Sequence, residues 1–161
     1  MVLRLDDYQN HQGLLDKIRY INKVYYEPAA RNIVYLERCK REVSAIYAVA
    51  LRDAYSHLVK VFEYDDILEA ENKTRIVRQL ERYLGHLEEL LYDTYLNIIK
   101  IKSDELFAQL PKGDWPKIKK QLSEQIQKVR TVNDHIAIEQ KIERFEKIIR
   151  FIEEVFTTHH S

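Results

Sequence analysis

Apolar positions recur at steps of three and four along nearly the whole chain, the spacing of amphipathic helices. Leu14, Leu15, Ile18, Ile21 and Tyr25 predict a first helix over about 6–26. Pro28 disfavours helical angles at Glu27 and suits the first turn of a second helix, over about 28–62. The stripe of that helix includes Ile33, Leu36, Val43, Ile46, Ala50, Ala54, His57, Leu58 and Val61. An acid-rich stretch from Tyr64 ends at Asn72, which is placed to cap a third helix over about 73–110. Ile76, Leu80, Tyr83, Leu87, Leu90, Thr94, Ile98 and Ile101 line its face. Asp114 and Pro116 then read as the cap and first turn of a fourth helix, over about 116–156, which Asn133-Asp134 could restart.

Only three Gly and three Pro punctuate this pattern, and most fall at its joints. Gly85 lies in mid-helix, where it costs roughly 1 kcal/mol against Ala and allows close packing. No stretch shows the two-residue period of a strand. Short links between long amphipathic helices imply antiparallel neighbours. The expected fold is therefore all-α: an up-down antiparallel four-helix bundle with long helices, forming one domain over 1–161.

Composition narrows the class. Apolar residues make up 45% and charged residues 32%, which excludes a disordered chain. The longest apolar run, Ala45 to Leu51, is far too short to span a bilayer, so no membrane role is expected. The first residues lack a signal-peptide pattern and Cys39 is the only cysteine, so a cytoplasmic protein is expected. With 26 basic and 26 acidic residues the formal charge is zero. That argues against a general nucleic-acid coat and leaves little self-repulsion to oppose association. Eleven tyrosines add amphipathic edges, and a homo-oligomer, dimer or higher, is expected.

Candidate chemistry is sparse. There is no phosphate-binding Gly-rich loop, no nucleophile elbow and no Cys/His zinc spacing, so no cofactor or metal is expected. Cys39, between Arg38 and Lys40, reads as a silent thiol, and His159-His160 as a tail. One segment stands out: Leu51-Arg52-Asp53-Ala54-Tyr55-Ser56-His57-Leu58. It resembles the Arg-x(4–6)-His signature of the HEPN superfamily of helical bundles, in which a polar residue often follows the Arg. Many members are metal-independent ribonucleases of toxin–antitoxin, CRISPR and antiphage systems, acting as dimers across a shared cleft. The resemblance implies catalytic roles for His57, as general acid or base at a ribose hydroxyl, and Arg52, holding the phosphate, with Asp53 supporting. Arg4 with His11 and Arg130 with His135 share the spacing.

Helical register extends this constellation. Pairing the second and third helices about residue 68 sets Arg52 level with Leu84 and His57 level with Gln79. Arg78, Arg82 and His86 then lie at a similar height and form a candidate phosphate or RNA contact. Alternatively His57 is a hydrogen-bonded, half-buried histidine, with the basic groups solvated or paired to Glu81, Glu89 and Asp93. Basic runs at Lys73–Arg82 and Lys117–Lys120 also oppose the dipoles of the helices they open. Two function classes follow. The first is a non-catalytic or degenerate HEPN-like bundle serving as an oligomeric assembly module for a protein partner, in a toxin or defence system. The second is an active ribonuclease using Arg52 and His57, with RNA as its partner.

Overall fold

The computed structural model describes residues 3–40, 45–130 and 138–160, and they are all-helical, with no strand among them. The helices are α1 (His11–Ile21), α2 (Glu27–Lys40), α3 (Ala45–Val61), α4 (Ala70–Gln109), α5 (Trp115–Arg130) and α6 (Ile138–His160). A π-helical turn, Asn22–Tyr26, joins α1 to α2 without interruption, so the described residues form five rods, not the four expected. Continuity of the expected second helix through 41–44, and of the fourth through Asn133-Asp134, lies outside the described residues. So does the Arg130–His135 pair. No helix among the described residues is long and apolar enough to cross a membrane.

Pro28 does not end the first rod, which corrects the boundary placed there. A proline inside a helix lacks an N–H and crowds the carbonyl four residues back. The π turn just upstream absorbs both problems by widening the backbone, with the Glu27 N–H bonding the Asn22 carbonyl. Glu27 keeps helical angles, φ −59° and ψ −46°, despite preceding proline. The rod also starts later than the pattern suggested, because Asn10 is extended (φ −160°). Its side chain accepts from the Gly13 N–H at 2.8 Å. A Cβ on Gly13 would stand 3.3 Å from that of Tyr8, so the small residue lets the N-terminal segment lie against the first turn.

The chain divides into two compact units, where the sequence alone suggested one domain. The first, Leu3–Thr94, holds α1 to α3 and the N-terminal part of α4. Lys73 Nζ donates to the Tyr8 carbonyl at 3.0 Å, Tyr83 donates to Asn22 Oδ1, and Asn32 Nδ2 donates to Thr94 Oγ1 at 3.2 Å. Their partners ascend together, so the α1–α2 rod runs in the same direction as α4 and does not double back at Pro28. The segment between α3 and α4 is pinned by the buried Tyr8, whose hydroxyl donates to the Ile67 carbonyl at 2.9 Å. Asp66, rather than Asn72, caps the entry to α4. Its carboxylate accepts from the Leu68 and Glu69 N–H groups at 3.2 Å, while Asn72 donates back to the Asp66 carbonyl. The Asp66 carboxylate thus forms an Asx turn two and three residues ahead, and α4 opens at Ala70.

The second unit takes up the rest of α4 with α5 and α6. Leu106, Leu110, Ile118, Leu122, Phe145, Ile148 and Ile152 are buried there. Tyr95 and Phe145 stack with ring centroids 5.0 Å apart, and Lys102 pairs with Glu153 at 2.8 Å. A 3₁₀ turn, Lys112–Asp114, leads into α5. Trp115 locks this corner by donating its indole N–H to the Leu110 carbonyl at 3.0 Å. Lys119 lies over both the Phe107 and Trp115 rings, a cation–π arrangement that offsets a basic charge near the helix start.

Candidate functional site

The short link between α3 and α4 brings His57 against α4. Its Nδ1 lies 2.8 Å from Gln79 Oε1, the register pairing expected from the link alone. An amide oxygen can only accept, so with this amide orientation Nδ1 carries the proton and Nε2 is the basic nitrogen of the neutral ring. The His86 imidazole stacks on His57 with centroids 5.2 Å apart and planes 13° from parallel. Arg82 and His86, one turn apart on α4, line a shallow open cavity of about 420 Å³ with His57, Gly85 and Glu89. Gly85 has open space where a Cβ would stand, so its role is not steric relief, contrary to the close packing expected there.

Arg52 does not line this cavity. Its Nε and Nη2 donate to Asp53 Oδ1 at 3.2 and 3.0 Å, and its side chain is 74% exposed. His57 lies five positions after Arg52, a rotation of about 140° around a helix, which carries the guanidinium to the outer side. Asp53 is engaged by Arg52, so the Asp–His pairing that helical spacing permits is not formed. Arg78 is exposed and is also absent from the cavity lining. The structure thus joins His57, Arg82 and His86 and leaves Arg52, Asp53 and Arg78 outside. Arg4 and His11 are both exposed, and the described residues hold no group of three or more side chains suited to a metal. Cys39 is exposed and free.

Chemically, His57 can accept a proton at Nε2, and Arg82 can hold an anion at the mouth. The His–Arg arrangement of the motif is not assembled within this chain, because the basic group beside His57 comes from α4.

Two features escaped the sequence pattern. Tyr26, Tyr55 and Tyr83 form a chain of ring contacts at 6.1 and 6.4 Å beside the π turn. Burial raises the Tyr83 phenol above its ordinary range, and the neighbouring Tyr55 and Tyr26 add to the shift. Tyr55 is raised by burial first and then by its contact with Tyr26. Only Pro28 hinted at the irregular helix that sets Asn22 and Tyr26 in place. The second feature is the outer face of α3. Tyr47, Ala54 and Val61, seven residues apart, are its buried stripe. Ala45, Val49, Arg52, Ser56 and Val59 stand opposite, flanked by Tyr55 and Phe62. Val49 is 45% exposed, Val59 59% and Phe62 60%. The signal was the run Ala45–Leu51, in which no position is polar.

No protein-family model matches the chain, and neither a curated protein nor a solved structure matches it.

Proposed function

We propose that the chain is a non-catalytic helical assembly module, HEPN-like in its motif but degenerate, which self-associates through the outer face of α3. The observation that carries this reading is the exposure of Val49, Val59 and Phe62 beside Tyr55 on a helix that already buries its opposite stripe. A helix that is apolar on both sides is suited to burial on both sides. A second copy is the favoured occupant for two reasons. The zero formal charge removes long-range repulsion between copies. Asp53 and Arg52 lie side by side at this face, so a two-fold interface could pair each with its opposite. The resemblance supports a toxin or defence setting for such a module, and the single cysteine supports the cytoplasm.

The separation of Arg52 from the His57 cavity favours the non-catalytic reading over the ribonuclease. Purified chain should leave a panel of single- and double-stranded RNAs intact without added metal, while sedimenting as a dimer. Val49→Glu with Val59→Glu should yield a monomer with an unchanged far-UV circular dichroism spectrum. RNA cleavage by the wild type that His57→Ala removes, at unchanged oligomer size, would establish the ribonuclease instead.

A further inference from the structure

A second cavity lies wholly within the Tyr95–Ser161 unit and has a different chemistry. It measures about 650 Å³ and is lined by Gln125, Lys128 and Val129 of α5 with Arg144, Lys147, Ile148 and Phe151 of α6. The two helices contribute matching pairs, a lysine followed by an apolar residue: Lys128-Val129 and Lys147-Ile148. Val129 and Ile148 are buried and Phe151 is half-buried, which gives the cavity an apolar floor. Lys128 and Lys147 are exposed and Arg144 is half-buried, which gives it a basic rim.

Charge decides what this shape can hold. Among the described residues, three cations line the cavity and no carboxylate does. Lys147 is paired at 3.2 Å with Glu143, one turn back on its own helix and outside the lining. Both side chains are more than half exposed, so the pair is weak and readily exchanged. Arg144 Nη1 reaches the Lys128 carbonyl at 3.4 Å, a long contact that ties the guanidinium across the two helices and keeps it at the mouth. A small inorganic anion would satisfy the rim but leave the apolar floor wet, while a neutral apolar molecule would leave the basic rim without an anion. The volume falls in the ~300–1,000 Å³ range of small-molecule sites, which are mostly apolar with a few placed polar groups.

We infer that this cavity binds a single-chain amphiphile with an anionic head, of the fatty-acid or alkyl-phosphate class. The chain lies over Val129, Ile148 and Phe151, and the head meets Arg144, Lys147 and Lys128. This site is independent of the α3 face and of the His57 cavity, so it stands or falls apart from the assembly role.

Calorimetric titration of the full chain with laurate and dodecyl phosphate below their micelle concentrations, and with dodecanol below its solubility limit, tests it. Laurate or dodecyl phosphate should bind at one saturable site, and dodecanol on the order of 10-fold more weakly, since charge-assisted contacts are the stronger class. Whichever head binds tighter names the source. Arg144→Gln and Lys147→Gln, each checked for an unchanged far-UV circular dichroism spectrum, should weaken the acid several-fold and leave dodecanol unchanged. Phe151→Ser should weaken all three. Equal affinity for laurate and dodecanol, absence of saturable binding, or indifference to Arg144→Gln and Lys147→Gln would overturn the assignment. So would an acidic amphipathic peptide that binds this cavity where laurate does not.

Discussion

Helices α3 and α6 obey the same periodicity and end up with opposite surfaces. In α6, Phe145, Ile148 and Ile152 turn inward, and Glu139, Glu143, Glu146, Lys147, Arg150 and Glu153 face water. That is a surface helix with one face to bury. In α3 the inward stripe is equally regular, but the outward side carries Val49, Val59 and Phe62 where α6 carries charge. Water contact on those residues has no folding role. The excess apolar surface of α3 is the feature of the first unit that the proposed assembly would cover.

The largest expected effect comes from exchanging inner for outer positions. Ile148→Ala in α6 removes a side chain that is 2% exposed, and should cost about 2–5 kcal/mol of unfolding free energy in denaturant titration. Val59→Ala on the outer face of α3 should change the stability of dilute protein by less than about 0.5 kcal/mol. If Val59→Ala costs as much as Ile148→Ala, the outer face is part of the core and the contrast between the helices collapses.

Next in size is Tyr83, which is fully buried and donates to Asn22 across the first unit. Tyr83→Phe leaves the Asn22 amide oxygen without that donor and should cost about 1–3 kcal/mol. It should also change the alkaline limb. Tyr8, Tyr55 and Tyr83 all have phenol pKa values raised from the ordinary 10.0 by burial, so the folded state holds these protons more tightly than the unfolded one. Their contribution is fully present below pH 10 and is lost as pH rises above it. Stability measured between pH 9 and pH 12, on the order set by ordinary tyrosine titration, should fall more gently for Tyr83→Phe than for the wild type. Parallel curves would contradict the cause assigned to the shift.

Smaller effects test the surface groups. Arg52→Ala removes a highly exposed pair with Asp53 and should cost about 0–1 kcal/mol in dilute protein. A larger loss, seen only at concentrations where the chain associates, would place Arg52 in the interface. The Asp7 carboxyl is held below its ordinary 3.8 chiefly by the hydrogen bond from Lys17. Its contribution is present above pH 3.8 and is lost as pH falls through the lowered value. Asp7→Asn should flatten the acid limb slightly, and an unchanged limb would show that the Lys17 contact is absent in solution.

Much of this architecture was legible in the sequence because helices announce themselves locally. The stripe through Ile76, Leu80, Tyr83 and Leu87 needs no tertiary information, and all four are buried. The pairing of His57 with Gln79 followed from the length of the link between α3 and α4. Boundaries were harder. Pro28 reads as a stop, since single-residue preferences contain no term for a π turn upstream that relieves the ring. Asn72 and Asp66 are both good caps, and which one acts depends on where Tyr8 pins the link. The site was only partly legible. Spacing gave the rotation of Arg52 away from His57, but stacking of His86 on His57 depends on the rotation of α4 about its axis. The basic-rimmed cavity between α5 and α6 depends on pairing two helices whose link falls outside the described residues, and no local pattern signals it.

The central claim is that the outer face of α3 is an interface, and sedimentation equilibrium of the wild type beside Val59→Glu tests it most directly. The account predicts a concentration-dependent dimer for the wild type and a monomer for the variant, with matching circular dichroism spectra. A wild type that stays monomeric at every concentration, or a Val59→Glu variant that dimerises as tightly as the wild type, would contradict it.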